Sequence, residues 1–265
     1  MMRLLALLAL AVFFACQPEI QTTDTPTEFN AADTAIVVPL SFQRENLRRT
    51  YPPDCTIESP DSGCAEVKME NLIATGGKPG VAARINDTLQ TVLKSTVYFP
   101  VEGTVNDVDL EEAIFGFLND FATELRDSEY AQSWTSETTS KVLYEDDELV
   151  TIQFENYSYM GGAHPNGYVD LRTFSKDDGR QLTYADLYPD PDENIFKQRA
   201  EAGFREARRD VMASGQSLYE AGFFEEGEFF LPANYGVVGD SILLYYNPYE
   251  AAAYVFGPTE YKIAR

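Results

Sequence analysis

The chain has 265 residues, 43 of them Asp or Glu and 20 Lys or Arg, for a formal charge of −23, with one His and three Cys. Such an acid excess argues against nucleic acid and other polyanions as partners and favours a basic protein or a cation, although solubility alone also accounts for acidity. A single His removes most zinc chemistry, because His-based sites need two or three imidazoles at set spacing.

Arg3 precedes an unbroken apolar run, Leu4 to Phe14, that closes on Ala15 and Cys16. The run is too short to span a bilayer and reads as a secretion signal over residues 1–15. A small residue directly before Cys16 fits lipoprotein processing, in which the thiol is diacylated and the peptide bond before it is cut. Cys16 is therefore expected to become a lipid-bearing N-terminus that attaches the protein to a membrane. Gln17 supplies no Asp signal for inner-membrane retention, so the expected location is the envelope, at the outer membrane. Residues 16–34, rich in Thr, Pro and acid, read as a flexible tether. Cys55 and Cys64, in an exported and oxidising compartment, predict a disulfide across a turn-rich loop, with two free thiols as the alternative.

The folded part divides by pattern into an N-terminal α+β subdomain over residues 35–137 and a C-terminal α+β domain over residues 138–265. In the first, Val37, Leu40 and Phe42 alternate into a strand, and Val67, Met69 and Leu72 form a second strand beyond the Cys loop that faces the same core. Gly76-Gly77 breaks the chain and Pro79 reads as a first helical residue, followed by Val81, Ile85, Leu89, Val92 and Leu93 on one helical face. A second helix opens at Asp109, which has a capping-box spacing to Glu112, and is expected to bury Ile114, Phe117, Leu118, Phe121 and Leu125.

From Lys141 the period becomes two. Val150, Ile152 and Phe154 oppose Thr151, Gln153 and Glu155, and the strand runs through Tyr157 and Tyr159 into the loop Met160-Gly-Gly-Ala-His-Pro-Asn-Gly167, with Val169, Leu171 and Thr173 returning. Asp190-Pro-Asp192 then reads as the cap of a helix carrying Ile195, Phe196, Ala200, Phe204, Ala207 and Val211. Its polar positions include Arg199, Arg205, Arg208 and Arg209, the chain's dense basic patch. Strands are expected at Phe229–Leu231, Tyr235–Val238, Ile242–Tyr246 and Glu260–Ile263, with Asn247, Pro248, Tyr249 and Glu250 starting a helical turn through Ala251 to Tyr254, and Gly257 and Pro258 leading into the last strand. The class is α+β, with mostly antiparallel sheet and helices packed on one side.

Catalytic signals are sparse. The chain has no G-x-S-x-G, S-x-x-K, phosphate-loop or dinucleotide motif, and Gly239-Asp-Ser241 has no His after it to complete a triad. No metal or cofactor is expected. The loop bearing Gly161, Gly162, His164, Pro165 and Asn166, with Tyr157 and Tyr159 leading into it, is over-specified for a connector and is the candidate ligand-binding site, although such a loop also serves simply to turn a chain.

The run Tyr159-Met-Gly-Gly-Ala-His-Pro-Asn166 followed by Leu182-Thr-x-x-Asp-Leu187, together with the tail Tyr245-Tyr-Asn-Pro-Tyr-Glu-x-Ala252 and Gly257-Pro258, resembles the C-terminal domain of RsiV-like extracytoplasmic proteins. The stretch before it, with Val81-x-x-x-Ile85-Asn86, resembles the smaller domain that precedes it there and beside some cell-wall deacetylases. The resemblance implies a non-catalytic binding module, in the best-known case a receptor for lysozyme. It departs from the signalling members in having a lipid anchor in place of a membrane helix and no cytoplasmic sigma-binding segment, and one His could not supply a deacetylase's metal ligands. The expectation is a non-enzymatic envelope lipoprotein that binds a basic muramidase or a peptidoglycan fragment. Two competitors stand beside it: an enzyme acting on cell-wall glycan or peptide through carboxylates and His164, and a purely structural lipoprotein.

Overall fold

The computed structural model describes residues 38–265, apart from 101, 189–192 and 226, so the signal, Cys16, the tether and the 190–192 cap lie outside the described residues. Strands β1 (Ser41–Tyr51) and β2 (Ala65–Thr75) form an antiparallel pair whose connection is closed by the Cys55–Cys64 disulfide, with Cα atoms 5.9 Å apart. Helices α1 (Val81–Ser95) and α2 (Leu110–Asp127) follow, and β3 (Trp134–Glu145) then returns to pair with β2 in parallel. A parallel return needs a long crossover, and the two helices supply it. Antiparallel β4 (Leu149–Tyr159) and β5 (Asn166–Ser175) complete a five-stranded sheet in the order β1-β2-β3-β4-β5. The division expected at 137/138 falls inside β3, so one sheet runs straight across it.

The helices cover one face of this sheet. Ile85, Leu89 and Leu93 of α1 and Ile114, Phe117 and Phe121 of α2 pack with Val67 and Met69 of β2 and Val150, Ile152 and Phe154 of β4. At about 1.5–3 kcal/mol per fully buried large apolar side chain, this layer is a principal source of stability. The capping box at α2 is formed in both directions: Glu112 N–H donates to Asp109 at 2.8 Å and Asp109 N–H to Glu112 at 3.2 Å. Two local expectations fail. Pro79 lies outside α1, where Gly80 at φ 84° makes the entry that a left-handed residue permits. Leu125, 36% exposed, lies off the core in the last turns of α2, beside Gly63 of the disulfide loop.

A second, smaller layer contains α3 (Tyr184–Leu187), α4 (Glu193–Ala207), and the antiparallel strands β6 (Asn234–Val238), β7 (Ser241–Tyr246) and β8 (Thr259–Ala264), with a 3₁₀ turn at Tyr254–Phe256 before β8. Phe196, Ala200 and Phe204 of α4 pack on Ile242, Leu244, Tyr246, Tyr261 and Ile263. The class is α+β, each sheet carrying helices on one side. The helix stops at Ala207, short of the expected Val211, which is 46% exposed. Phe229–Leu231 is not a strand. Phe229 is buried beside Phe204 and Tyr246, and Tyr246 Oη donates to the Phe230 carbonyl at 2.5 Å, so the segment packs as irregular chain. The expected helical turn at 251–254 shifts to the 3₁₀ turn two or three residues later.

The two sheets meet where β6 lies along edge strand β5. Here side-chain amides stand in for a sixth strand. Asn247 Oδ1 accepts from Val169 N at 2.7 Å while Asn247 Nδ2 donates to Val169 O at 3.0 Å. Asn234 Oδ1 accepts from Leu171 N at 2.7 Å and its Nδ2 donates to Val169 O at 2.6 Å. An open edge exposes unpaired N–H and C=O groups, and here they are satisfied without another strand.

The approach of β6 is close enough that only Gly fits at 236. A Cβ there would lie 2.7 Å from the Thr151 Cγ2 and 3.5 Å from the Leu171 Cβ. Gly236→Ala is expected to cost about 1–3 kcal/mol by overpacking. Urea denaturation checks it, and a loss under about 0.5 kcal/mol would mean that the sheets can part without penalty.

Candidate functional site

The loop between β4 and β5 is shaped by its own sequence. Gly161 and Gly162 take φ of 83° and 95°, a region that other L-residues enter at a cost, and Pro165 stiffens the exit. Two sets of partners hold it. On one side Tyr159 Oη donates to Gln132 Oε1 at 2.6 Å and lies 2.9 Å from Gly162 O, while Gly162 N–H donates to the same Gln132 oxygen at 3.2 Å. On the other side His164 lies against Tyr254 with ring centroids 3.9 Å apart and planes at 17°. Tyr254 Oη donates to the Pro165 carbonyl at 3.2 Å.

His164 is exposed, and both of its nitrogens are engaged. Nδ1 lies 2.9 Å from Pro165 O and Nε2 lies 3.1 Å from Tyr249 Oη. A carbonyl cannot donate, so in the neutral ring Nδ1 carries the proton and Nε2 accepts from the tyrosine. Among the described residues, His164 thus faces a peptide oxygen and two phenols. That arrangement fixes the orientation of the ring.

Beside this stack lies an open groove of about 630 Å³, where the three-stranded sheet leaves part of the first sheet's far face uncovered. Glu137, Glu155 and Tyr157 line it from β3 and β4, and Tyr245, Pro248 and Tyr254–Pro258 from the second layer. Tyr157 is 48% exposed and Val255 86%. Burial pushes the Tyr245 hydroxyl up, and Glu260, Glu155 and Glu250 push it the same way; the Tyr168 hydroxyl is raised by burial, then by Asp170 and Glu250. Both phenols therefore stay protonated donors at neutral pH in a field of negative sign. Glu155 already pairs with Lys141 at 2.8 Å, whereas the Glu137 side chain has no partner among the described residues.

The expected site residues therefore separate. Tyr157 lines the groove, His164 and Pro165 stand at its rim with Tyr254, and Tyr159, Gly161 and Gly162 support the loop from the Gln132 side. Asn166 begins β5 opposite Ser158. In the tail motif Asn247 is buried and holds β5, Glu250 accepts from Asn247 N–H at 2.9 Å, Tyr249 reaches His164, and Pro248, Gly257 and Pro258 line the groove. Reading the sequence alone missed Gln132 and Val255, which carry no signal of their own; Tyr168 was legible as an aromatic residue flanking the loop and Tyr245 as the first residue of the tail motif, but neither as part of a groove.

The arginines of α4 and of the turn that follows it are engaged within the fold. Arg208 donates to Thr259 Oγ1 at 2.8 Å and to Pro258 O at 2.6 Å, Arg199 donates to Ala264 O at 2.8 Å, and Arg205 and Arg209 pair with Glu201 and Glu206, each at 2.8 Å. Arg199 and Arg208 fasten the helix and the turn after it to β8 and the Gly257-Pro258 corner, whereas Arg205 and Arg209 pair within their own segment, and exposed pairs of this kind add little stability. Among the described residues no group of three or more His, Cys, Asp or Glu is placed to hold a metal ion, and no helix is long and apolar enough to cross a membrane.

Comparison with known proteins places a break between the two sheets, later than the 137/138 division expected from sequence pattern. Residues 58–167 match the family model described as deacetylase PdaC, and residues 185–265 match the model for a protein of unknown function, DUF3298. None of the curated proteins compared with the sequence matches it. Among solved structures, a DUF3298 family protein from Pseudomonas aeruginosa PAO1 superposes with a TM-score of 0.60 at 19% identity, covering 86% of this chain and 92% of its own. A DUF3298 family member from Bacteroides fragilis NCTC 9343 superposes with a TM-score of 0.61 at 16% identity, covering 85% and 90%. At such identities the likeness is one of fold. The chain carries the PdaC and DUF3298 domain pair, as its resemblance to RsiV-like extracytoplasmic proteins implied.

Proposed function

We propose that this chain is a non-enzymatic lipoprotein of the cell envelope, anchored through Cys16 at the outer membrane, whose groove and His164 loop bind a basic muramidase of the lysozyme type. The observation that carries the reading is the exposed His164–Tyr254 stack at the rim of an aromatic groove. Interface anchors are enriched in Tyr, which brings large contact area at low rotamer cost. The −23 charge supports the partner's sign, because opposite fields raise association rates and select against acidic competitors.

A peptidoglycan fragment is the second reading, favoured by the tyrosine faces, on which sugar rings stack. We assign no deacetylation, although the matched family bears that name: this chain has one His, and its ring is occupied by Pro165 and Tyr249.

The test passes the soluble chain, from residue 17 onward, over immobilised c-type lysozyme at moderate salt. Binding is expected, weakened about tenfold by His164→Ala or Tyr157→Ala, the loss typical of an interface contact worth a little over 1 kcal/mol. No binding, or binding that salt abolishes and neither substitution alters, removes specific recognition. Purified peptidoglycan incubated with the chain is expected to stay intact; release of fragments or acetate that His164→Ala stops would establish the enzymatic competitor instead.

A further inference from the structure

The His164 stack separates the groove from a second, smaller recess. Tyr254 lines the groove, whereas Tyr249 lines a cavity of about 250 Å³ shared with Phe224, Phe230 and the Ala251–Ala253 backbone. Its size falls below the roughly 300–1,000 Å³ of a drug-sized site and suits one side chain. The floor is apolar, with Phe224 and Ala251 buried; the walls are aromatic, with Phe230 46% and Tyr249 60% exposed. Glu225 and Glu228 line the same recess, and neither side chain has a hydrogen-bond or ion-pair partner among the described residues. Glu250, also in the lining, is already committed to the Asn247 N–H.

This combination matches one kind of occupant. An alkyl stem gains by burial on the floor, a cation gains at the faces of Tyr and Phe, and its charge is met by two carboxylates that have no other partner. An acid would be repelled, and a neutral apolar group would leave the carboxylates unmet. We propose that the recess is an anchor site for a Lys or Arg side chain of the basic protein partner, acting next to the groove. The proposal rests on the partner reading above, and its failure can be told apart from the failure of that reading.

The experiment follows the Phe230, Tyr249 and Ala251–Ala253 resonances of the soluble chain by NMR during titration with N-acetyl-lysine methylamide, N-acetyl-arginine methylamide and, as the uncharged control, N-acetyl-norleucine methylamide. The two cations are expected to shift these signals saturably at millimolar concentration and the control to leave them unmoved. In parallel, lysozyme affinity is compared at matched salt for Glu225→Gln/Glu228→Gln and for Glu124→Gln/Glu129→Gln, which removes the same charge from exposed positions outside the recess. The first pair is expected to weaken binding about tenfold more than the second. Equal weakening by both pairs, or no shift with either cation, overturns the anchor site even if lysozyme binds. Shifts with both cations and no lysozyme binding keep the recess as a cation site and overturn the partner.

Discussion

Asn247→Ala is expected to lower the free energy of unfolding by about 1–3 kcal/mol, because it leaves the part-buried Val169 N–H without its acceptor and removes one of two donors to Val169 O. A fully buried amide left without an acceptor costs about 1–3 kcal/mol by itself and the lost second bond about 1 kcal/mol, and partial access of water at Val169 lowers the sum. Asn247 is 4% exposed, whereas Val169 borders the open groove, so water reaches the vacated site in part. Urea denaturation gives the magnitude, and hydrogen exchange at Val169 gives the cause: its amide is expected to lose protection while amides of β2 keep theirs. Unchanged protection at Val169 would show that Asn247 is not what seals the β5 edge, whatever the stability change. The same substitution releases the turn that presents Tyr249 to His164, so the loop should become more mobile as the edge opens.

Tyr254→Ala is expected to reduce affinity for c-type lysozyme by about 30- to 100-fold, the range of a central aromatic anchor worth roughly 2–3 kcal/mol. This is larger than the loss expected from His164→Ala because Tyr254 does three things: its ring stacks on His164, its hydroxyl holds Pro165 O, and its face lines the groove. Being 36% exposed, it can be removed with little effect on the core. Tyr254→Phe keeps the ring and loses only the hydroxyl bond, so it should bind within a few-fold of the parent. Parent-like binding by Tyr254→Ala would move the recognition surface away from this rim.

Local features of the fold were legible where one physical pattern dominates. The capping box at Asp109 and Glu112, the apolar face of α1, and the period-two alternation of β4 each follow from residues within one or two turns of each other, and each is present. Pairings set by distant chain were not legible. Nothing in Ala65–Thr75 says that its second neighbour will be β3, in parallel, after two helices; that depends on how α1 and α2 close the crossover. The Phe229–Leu231 run misled because apolar residues fill a core equally well from irregular chain, and here the Tyr246 bond to Phe230 O and the Tyr184 bond to Pro232 O take the place of a ladder.

The candidate site shows the same split. The Gly161-Gly162 and His164-Pro165 chemistry could be read as a constrained loop, since backbone requirements are written locally. The groove beside it could not, because Tyr157 and Tyr245 are brought together only when the second sheet docks. Gln132 was invisible for a similar reason: a glutamine carries no periodic or conformational signature, and its role comes from lying across from Tyr159 and Gly162.

The two asparagines that finish β5 address peptide groups, not side chains. Both sit at the ends of one hairpin, Asn234 at the start of β6 and Asn247 just beyond β7, so a single element carries both keys. What they recognise at Val169 and Leu171 is the amide common to every non-proline residue. Side chains along that edge can therefore drift without unlocking the sheets, so long as they pack and are not proline, while the two keys cannot. A joint written this way tolerates extensive divergence of the surrounding sequence, leaving the rim and groove free to be refitted to new partners on an unchanged frame.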